Sequence, residues 1–177
     1  MNVKGGIFII AHVLGIGAMI SLFLIYQQRN RKNILLCKLS ADICWIFHYF
    51  TLGATAGMIP NFIGVFRELV FINRHRKWAS CKIWVVFFIA MNIVLSILTF
   101  KNYYDVIPII ASSFVTISLW INNPDLTKKI SAPVSLSFLI YDIFVHSYMG
   151  IINESLSIIS IIIYFIRKIK EEKSDEQ

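Results

Sequence analysis

The sequence predicts an all-α fold: a polytopic membrane protein with seven transmembrane helices, in which two parallel three-helix repeats are joined by an inversion linker helix. Three observations lead there. Hydrophobic residues form 57% of the 177 residues and the mean hydropathy is +0.70, too apolar for a soluble domain of this length. Seven stretches approach the roughly 20 apolar residues that cross about 30 Å of hydrocarbon. Basic residues collect after every second stretch, and two stretches of the first half have counterparts in the second.

In order, the predicted helices span 6–26, 34–52, 55–72, 83–100, 106–121, 130–149 and 151–166. The first follows a single Lys4, is too long for a signal-peptide core and ends in Tyr26-Gln27-Gln28 without a small-residue cleavage pattern, so it reads as a retained helix. The second and third are separated only by Gly53-Ala54, and the sixth and seventh meet at about Gly150, so each pair forms a tight antiparallel hairpin. The fourth has Asn92, Ser96 and Thr99 as its interior polar groups and serves as the linker. One transmembrane domain, 1–170, results: repeat one at 6–77, linker helix at 83–100, repeat two at 103–168, followed by a charged cytoplasmic tail at 171–177, expected to fray.

The net charge of +7 is topological. Arg29, Arg31 and Lys32 follow helix 1; Arg74, Arg76, Lys77 and Lys82 follow helix 3; Lys128 and Lys129 follow helix 5; Arg167, Lys168, Lys170 and Lys173 follow helix 7. Lys4 and Lys101 fall on the other side. The positive-inside rule then places the N-terminus outside and the C-terminus in the cytoplasm. The expected partners are the lipid bilayer and a small polar solute; a homo-oligomer is compatible, and nucleic acid is not expected. Cys37, Cys44 and Cys81 lack metal-ligand spacing and read as small packing residues.

The internal match runs without a gap. Gly150 falls 93 residues after Gly57, and the same offset pairs Trp45 with Phe138, His48 with Tyr141, Tyr49 with Asp142, Asn61 with Glu154, Gly64 with Ser157, Phe71 with Tyr164 and Arg74 with Arg167. Because helix 4 reverses the chain once more, both triplets enter the membrane in the same sense, so the repeats are parallel.

Ionisable groups inside hydrocarbon are costly and usually face protein or a wet cavity. Lys38, Asp42, Trp45 and Tyr49 share one stripe of helix 2; Ser131, Ser135, Phe138, Asp142 and His146 share the corresponding stripe of helix 6. Helix 3 offers Pro60, Asn61, Gly64 and then Arg67 or Glu68; helix 7 offers Glu154, Ser157, Ser160 and Tyr164. The candidate substrate-binding residues are Trp45, Asn61, Phe138 and Glu154, with Asp42, Tyr49, Arg67, Asp142 and His146 as accessory polar groups. Lys38 and Asp42, one turn apart, are expected to neutralise each other. Arg67 and Glu68 sit roughly 100° apart, so only one should face the axis, with Arg67 snorkelling toward the cytoplasm or Glu68 pairing on another helix. His12 and His48 read as hydrogen-bonded packing residues. The chain shows no paired nucleophile and base, no Gly-rich phosphate loop and no metal-spaced His cluster, so neither enzymatic activity, a metal nor another cofactor is expected.

The run from Leu39-Ser40 to Gly53, with Gly57 and Arg67, and the later Phe138-Leu-Ile-Tyr141-Asp142, Gly150, Glu154 and Arg167 resemble the YgjV-type bacterial inner-membrane proteins over residues 32–167. That resemblance implies a multi-pass protein of the inner membrane. A more distant resemblance links Ile59-Pro60-Asn61-Phe-Ile-Gly64 to the Asn-x-x-Gly segment of the SWEET and PQ-loop transporters, with Asn153-Glu154-Ser-Leu-Ser157 in its place in the second half. In both halves an aromatic precedes the polar residue by sixteen positions. The chain departs from that group in having Glu154 for the second Asn, Phe138 for the second Trp, and no Pro-Gln dipeptide. These likenesses imply facilitated transport of a small polar metabolite by rocking of the two triplets, with nucleoside- or vitamin-type solutes as a subsidiary version. The alternative is a non-transporting membrane module, a receptor or assembly subunit, whose polar residues only join helices.

Overall fold

The computed structural model describes residues 3–27, 31–121 and 124–175. Those residues form seven α-helices and one short 3-10 turn: α1 (Val3–Gln27), α2 (Arg31–Thr51), α3 (Thr55–Ile72), α4 (Ile83–Leu98), the turn Tyr103–Asp105, α5 (Val106–Trp120), α6 (Pro124–Phe144) and α7 (Tyr148–Asp175). The first five helices match the predicted spans closely. The last two do not. α6 starts at Pro124, whose fixed φ and missing N–H suit the first helical position, and it ends at Phe144. Gly150 is therefore not the turn; it lies in the first turn of α7. α7 also runs through to Asp175, so the charged segment expected to fray is helical as far as it is described.

Both hairpins end their first helix in the same way. Gly53 has φ +69°, and His146 is the non-glycine residue with positive φ among the described residues, at +53°. After α2, the Ala54 N–H bonds the Tyr49 carbonyl at 2.9 Å and the Gly53 N–H bonds the Phe50 carbonyl at 3.0 Å. After α6, the Ser147 N–H bonds the Asp142 carbonyl at 2.9 Å and the His146 N–H bonds the Ile143 carbonyl at 3.3 Å. This is the Schellman arrangement, in which a left-handed residue lets the chain satisfy the last carbonyls of a helix.

α2 packs between α1 and α3, and α6 packs between α5 and α7; α4 touches α3 and α5, and the two groups also meet where α1 crosses α7 and α3 crosses α5. At the first crossing, a Cβ on Gly15 would lie 2.5 Å from Met149 Cβ, so only glycine admits this approach of α1 to α7. Aromatic and aliphatic side chains fill two cores. One holds Trp45, Tyr49 and Tyr141 with Ala18, Ala41, Ala54 and Ala56; the other holds Ile59, Ile63, Phe71 and Phe88.

The outward faces are apolar. Ile10, Val13, Ile16 and Ile20 of α1, Val94 and Ile97 of α4, and Ile152, Leu156, Ile159, Ile163 and Ile166 of α7 are all exposed, while Asp42, Glu68, Arg67 and Asp142 are buried. That inversion of the soluble pattern suits a hydrocarbon solvent. Several helical hydroxyls obey the same constraint: Ser21, Ser40, Thr116, Ser137 and Ser155 each donate to the carbonyl four residues back, so these donors are satisfied within their own helix. By length and hydropathy alone, Thr55–Ile72, Tyr103–Trp120 and Tyr148–Arg167 suffice to cross a membrane, and Ile10–Leu22 and Ile83–Leu98 are shorter apolar helices. α2 and α6 carry ionisable residues along their length, Lys32, Lys38 and Asp42 on α2 and Asp125, Lys128, Lys129 and Asp142 on α6.

Candidate functional site

Two polar layers lie between the helices. The first is beside the hairpins and centres on Asp142, which is wholly buried. The Tyr49 hydroxyl of α2 donates to Asp142 Oδ1 of α6 at 2.7 Å, while Asp142 Oδ2 has no hydrogen-bond partner. Packing fixes the Tyr49 ring: it stacks on Trp45 at 5.6 Å and tilts against Tyr141 at 6.2 Å. Both tyrosines close on Gly57, where a Cβ would lie 2.8 Å from the Tyr141 ring and 2.9 Å from that of Tyr49. The Tyr141 hydroxyl accepts the Gly57 N–H at 2.8 Å, an amide of the first helical turn that it shares with the Ala54 carbonyl at 3.1 Å. Gly150 plays the matching part in the second hairpin, where any Cβ would collide with the Asp142 carboxyl.

His48 and Ser147 complete this layer. His48 Nδ1 lies 2.7 Å from the Ala11 carbonyl oxygen of α1, and its Nε2 lies 2.9 Å from Ser147 Oγ. Ser147 precedes the first residue of α7 and accepts the Gly150 N–H at 3.2 Å, the bond an N-cap serine makes to the third helical residue. Its hydroxyl and the Asp142 carboxyl both pack on Gly150, and the hydroxyl acts electrostatically on that carboxyl.

The second layer lies seven residues along α2, about 10 Å at 1.5 Å per residue. Asp42 forms an ion pair with Lys38 and has Arg67 Nη2 at 3.9 Å from its Oδ2. Arg67 binds Glu68 Oε1 through Nε at 3.3 Å and Nη2 at 3.0 Å, and its Nη1 donates to Thr116 Oγ1 of α5 at 3.0 Å. Here the sequence-based expectation fails. Neither Arg67 nor Glu68 leaves the interior; they are 2% and 0% exposed. The long guanidinium arm folds across the 100° between adjacent positions and joins both its neighbour and the next helix.

The other candidate residues are distributed as follows. Trp45 is buried against Tyr49 and His48, with ring centroids at 5.6 and 5.0 Å. Asn61 is half-buried, and its amide donates to the Gly57 carbonyl of its own helix at 2.8 Å. Phe138 is half-buried and, among the described residues, makes no ring contact with Trp45. Glu154 is half-buried; it accepts the Asn153 amide at 2.9 Å and pairs with the Ser135 hydroxyl, within electrostatic reach of Asp142, Tyr49 and Lys38. His146 stands in the exposed turn after α6, so the helical stripe predicted through it stops at Asp142. The contact joining α2 to α6 is thus between two accessory residues, Tyr49 and Asp142. Among the described residues no group of three or more His, Cys, Asp or Glu side chains could hold a metal ion.

Sequence reasoning read His48 as hydrogen-bonded without naming its partners, and passed over Ser147. Ser147 carried a local signal, a serine just before an apolar helix. His48 carried none, because its partners lie 37 and 99 residues away in sequence.

Apolar outer faces around a buried, charged interior define a helical integral membrane protein. The chain belongs to the Imp-YgjV family of bacterial inner membrane proteins, which it matches over residues 9–172. No curated protein and no solved structure matches it.

Proposed function

We propose that the chain is a transporter that moves a small polar solute across the bacterial inner membrane by rocking two three-helix units, α1–α3 and α5–α7, with α4 as the inverting linker. The observation that carries this proposal is the Tyr49–Asp142 hydrogen bond. It joins α2 to α6 between residues 93 apart, the offset that pairs the two halves in sequence, and residues related by a twofold axis can touch only near that axis. The hairpins support the same symmetry: Gly53 and His146 share a left-handed backbone 93 residues apart, and their flanking amide bonds repeat in kind. The packing is compatible with it, since exchanging α1 with α5 and α3 with α7 turns the α1–α7 crossing into the α3–α5 crossing.

Contacts at two depths join the units: Tyr49–Asp142, Gly57–Tyr141 and His48–Ser147 beside the hairpins, and Arg67–Thr116 about 10 Å or more beyond. Opening one set while the other holds is what alternating access requires. With the N-terminus outside, the Tyr49–Asp142 contact is the outer gate. Trp45 is covered by Tyr49 and His48 in this closed arrangement. It meets the solute once that gate opens, with Phe138 opposite and Asn61 and Glu154 as hydrogen-bonding groups. Four interior carboxylates, Asp42, Glu68, Asp142 and Glu154, stand against two cations, Lys38 and Arg67, which favours a cationic or amine-bearing solute over an anionic one. No covalent chemistry is part of this function.

The test is a metabolite panel screened by thermal shift on the purified protein, followed by uptake of each stabilising compound into proteoliposomes. Saturable uptake that Tyr49→Phe or Arg67→Lys alters is the expected result. Stabilising compounds that never enter the vesicles would instead mark a binding module without transport.

A further inference from the structure

The hydrogen-bond arithmetic around Ser147 leaves one acceptor over. The Ala11 carbonyl can only accept, so His48 Nδ1, 2.7 Å away, carries a proton. Tyr49 supplies its hydroxyl proton to Asp142 Oδ1, and the Gly150 N–H is already given to Ser147 Oγ. Ser147 then has a single proton for two acceptors, His48 Nε2 at 2.9 Å and the Asp142 carboxyl. If the imidazole is neutral and takes it, Asp142 Oδ2 is left buried with no donor, which is how the residue stands. A buried acceptor without a partner costs about 1–3 kcal/mol, more for a charged group.

One added proton removes the deficit in either of two positions. On His48 Nε2, it donates to Ser147 Oγ and frees the serine hydroxyl to turn to Asp142. On Asp142, the carboxylic acid donates to Ser147 Oγ while the serine hydroxyl continues to serve Nε2. The two forms interconvert by a paired shift: Nε2 gives its proton to Oγ as the hydroxyl proton passes to the carboxylate, with no net gain or loss.

We propose that His48, Ser147 and Asp142 form a proton-binding relay between the hairpins, holding one exchangeable proton shared across α2, α6 and the start of α7. Every element packed against it contributes a titratable or charged group to its surroundings: His12 from α1, Tyr49 from α2, Tyr141 from α6, Glu154 from α7 and Asp105 from the turn before α5, with Lys38 beyond Glu154. Within this set Asp142 is the group bonded directly to Tyr49, so proton binding acts on the contact that joins α2 to α6. Binding of the proton stands apart from the transport function; coupling of the proton to solute movement rests on it.

The test uses the whole protein in nanodiscs, stepped from alkaline to acid pH. Infrared difference spectra read the carbonyl band of a protonated carboxyl, and nitrogen NMR of labelled histidine reads the imidazole. In the wild type, His48 is expected to keep its Nδ1 proton throughout while a carboxylic band appears and the His48 signal shifts with it. Asp142→Asn supplies an N–H donor in place of the added proton, so it should fold, lose that band and bind one proton fewer per chain. Ser147→Ala, which keeps both titrating groups, should uncouple them, so that the His48 signal no longer follows the carboxylic band. An unchanged band and proton count in Asp142→Asn overturns the relay, as does a His48 that carries its proton on Nε2 alone or that stays coupled in Ser147→Ala. Wild-type proton binding of the expected kind in a protein that carries no solute into vesicles would leave the relay standing and remove the transport function.

Discussion

Removing the Tyr49 hydroxyl isolates the bond that joins α2 to α6. Tyr49→Phe keeps the ring that stacks on Trp45 at 5.6 Å and closes on Gly57, so no cavity term enters. What is lost is a 2.7 Å donor to a wholly buried carboxyl whose other oxygen already lacks a partner. A hydrogen bond to a charged group is worth about 1.5–3 kcal/mol in soluble proteins, whereas cycles in a membrane protein average about 0.6 with a maximum near 1.7. The membrane values are lower because the unfolded reference state also finds partners. Asp142 is wholly buried with its carboxyl packed against Gly150 and few replacements at hand, so the upper part of that range applies. The double-mutant cycle of Tyr49→Phe and Asp142→Ala, chosen because an asparagine oxygen would still accept the Tyr49 hydroxyl, should give a coupling of about 1–1.7 kcal/mol. Reversible unfolding in mixed micelles, followed by tryptophan fluorescence, measures it. A coupling below about 0.5 kcal/mol, the level at which distant sites already add, would mean that this bond does not hold the halves together.

Other outcomes follow from the same geometry. His146→Gly relieves a left-handed backbone of about 1–2 kcal/mol against the entropy of glycine, about 0.5–1 kcal/mol. It should therefore stabilise the fold by up to about 1 kcal/mol, whereas Gly53→Ala should destabilise it; equal effects of both in thermal melts would refute the matched hairpins. Reporter fusions after residues 31, 76, 128 and 172 should read cytoplasmic and those near 54 and 102 external; a periplasmic signal at 172 would overturn the orientation. In uptake assays, Glu154→Gln should remove the cation preference of transport while leaving any pH dependence that the His48–Ser147–Asp142 group sets, and Asn61→Ala should weaken solute binding at every pH. Unaltered selectivity in Glu154→Gln would reduce Glu154 to a packing residue.

The sequence by itself determined the class, the first five helices and their ends, and the stripes that bring Asp42, Trp45, Tyr49 and Asp142 to the interior. Each of these is local: an apolar run, a Gly-Ala hairpin or a one-turn spacing is read within a dozen residues. It misplaced the turn between α6 and α7 because it took Gly150 as the breaker, when the left-handed position is held by His146 and glycine is needed at 150 for lack of room beside Asp142. The internal offset of 93 was legible as a pattern, but nothing in it told which pair meets. Only tertiary structure could single out Tyr49 and Asp142, because which pair meets depends on how far each helix tilts and where small residues let it approach. The same holds for Arg67, whose long arm can snorkel or turn inward at equal sequence cost; Thr116 on α5 and Glu68 beside it supply the acceptors that keep it buried. His48 becomes more than a packing residue for a like reason. A carbonyl on α1 and a hydroxyl capping α7 converge on its two nitrogens, and hydrogen bonds in a medium without water are decided by which partners the fold brings within reach.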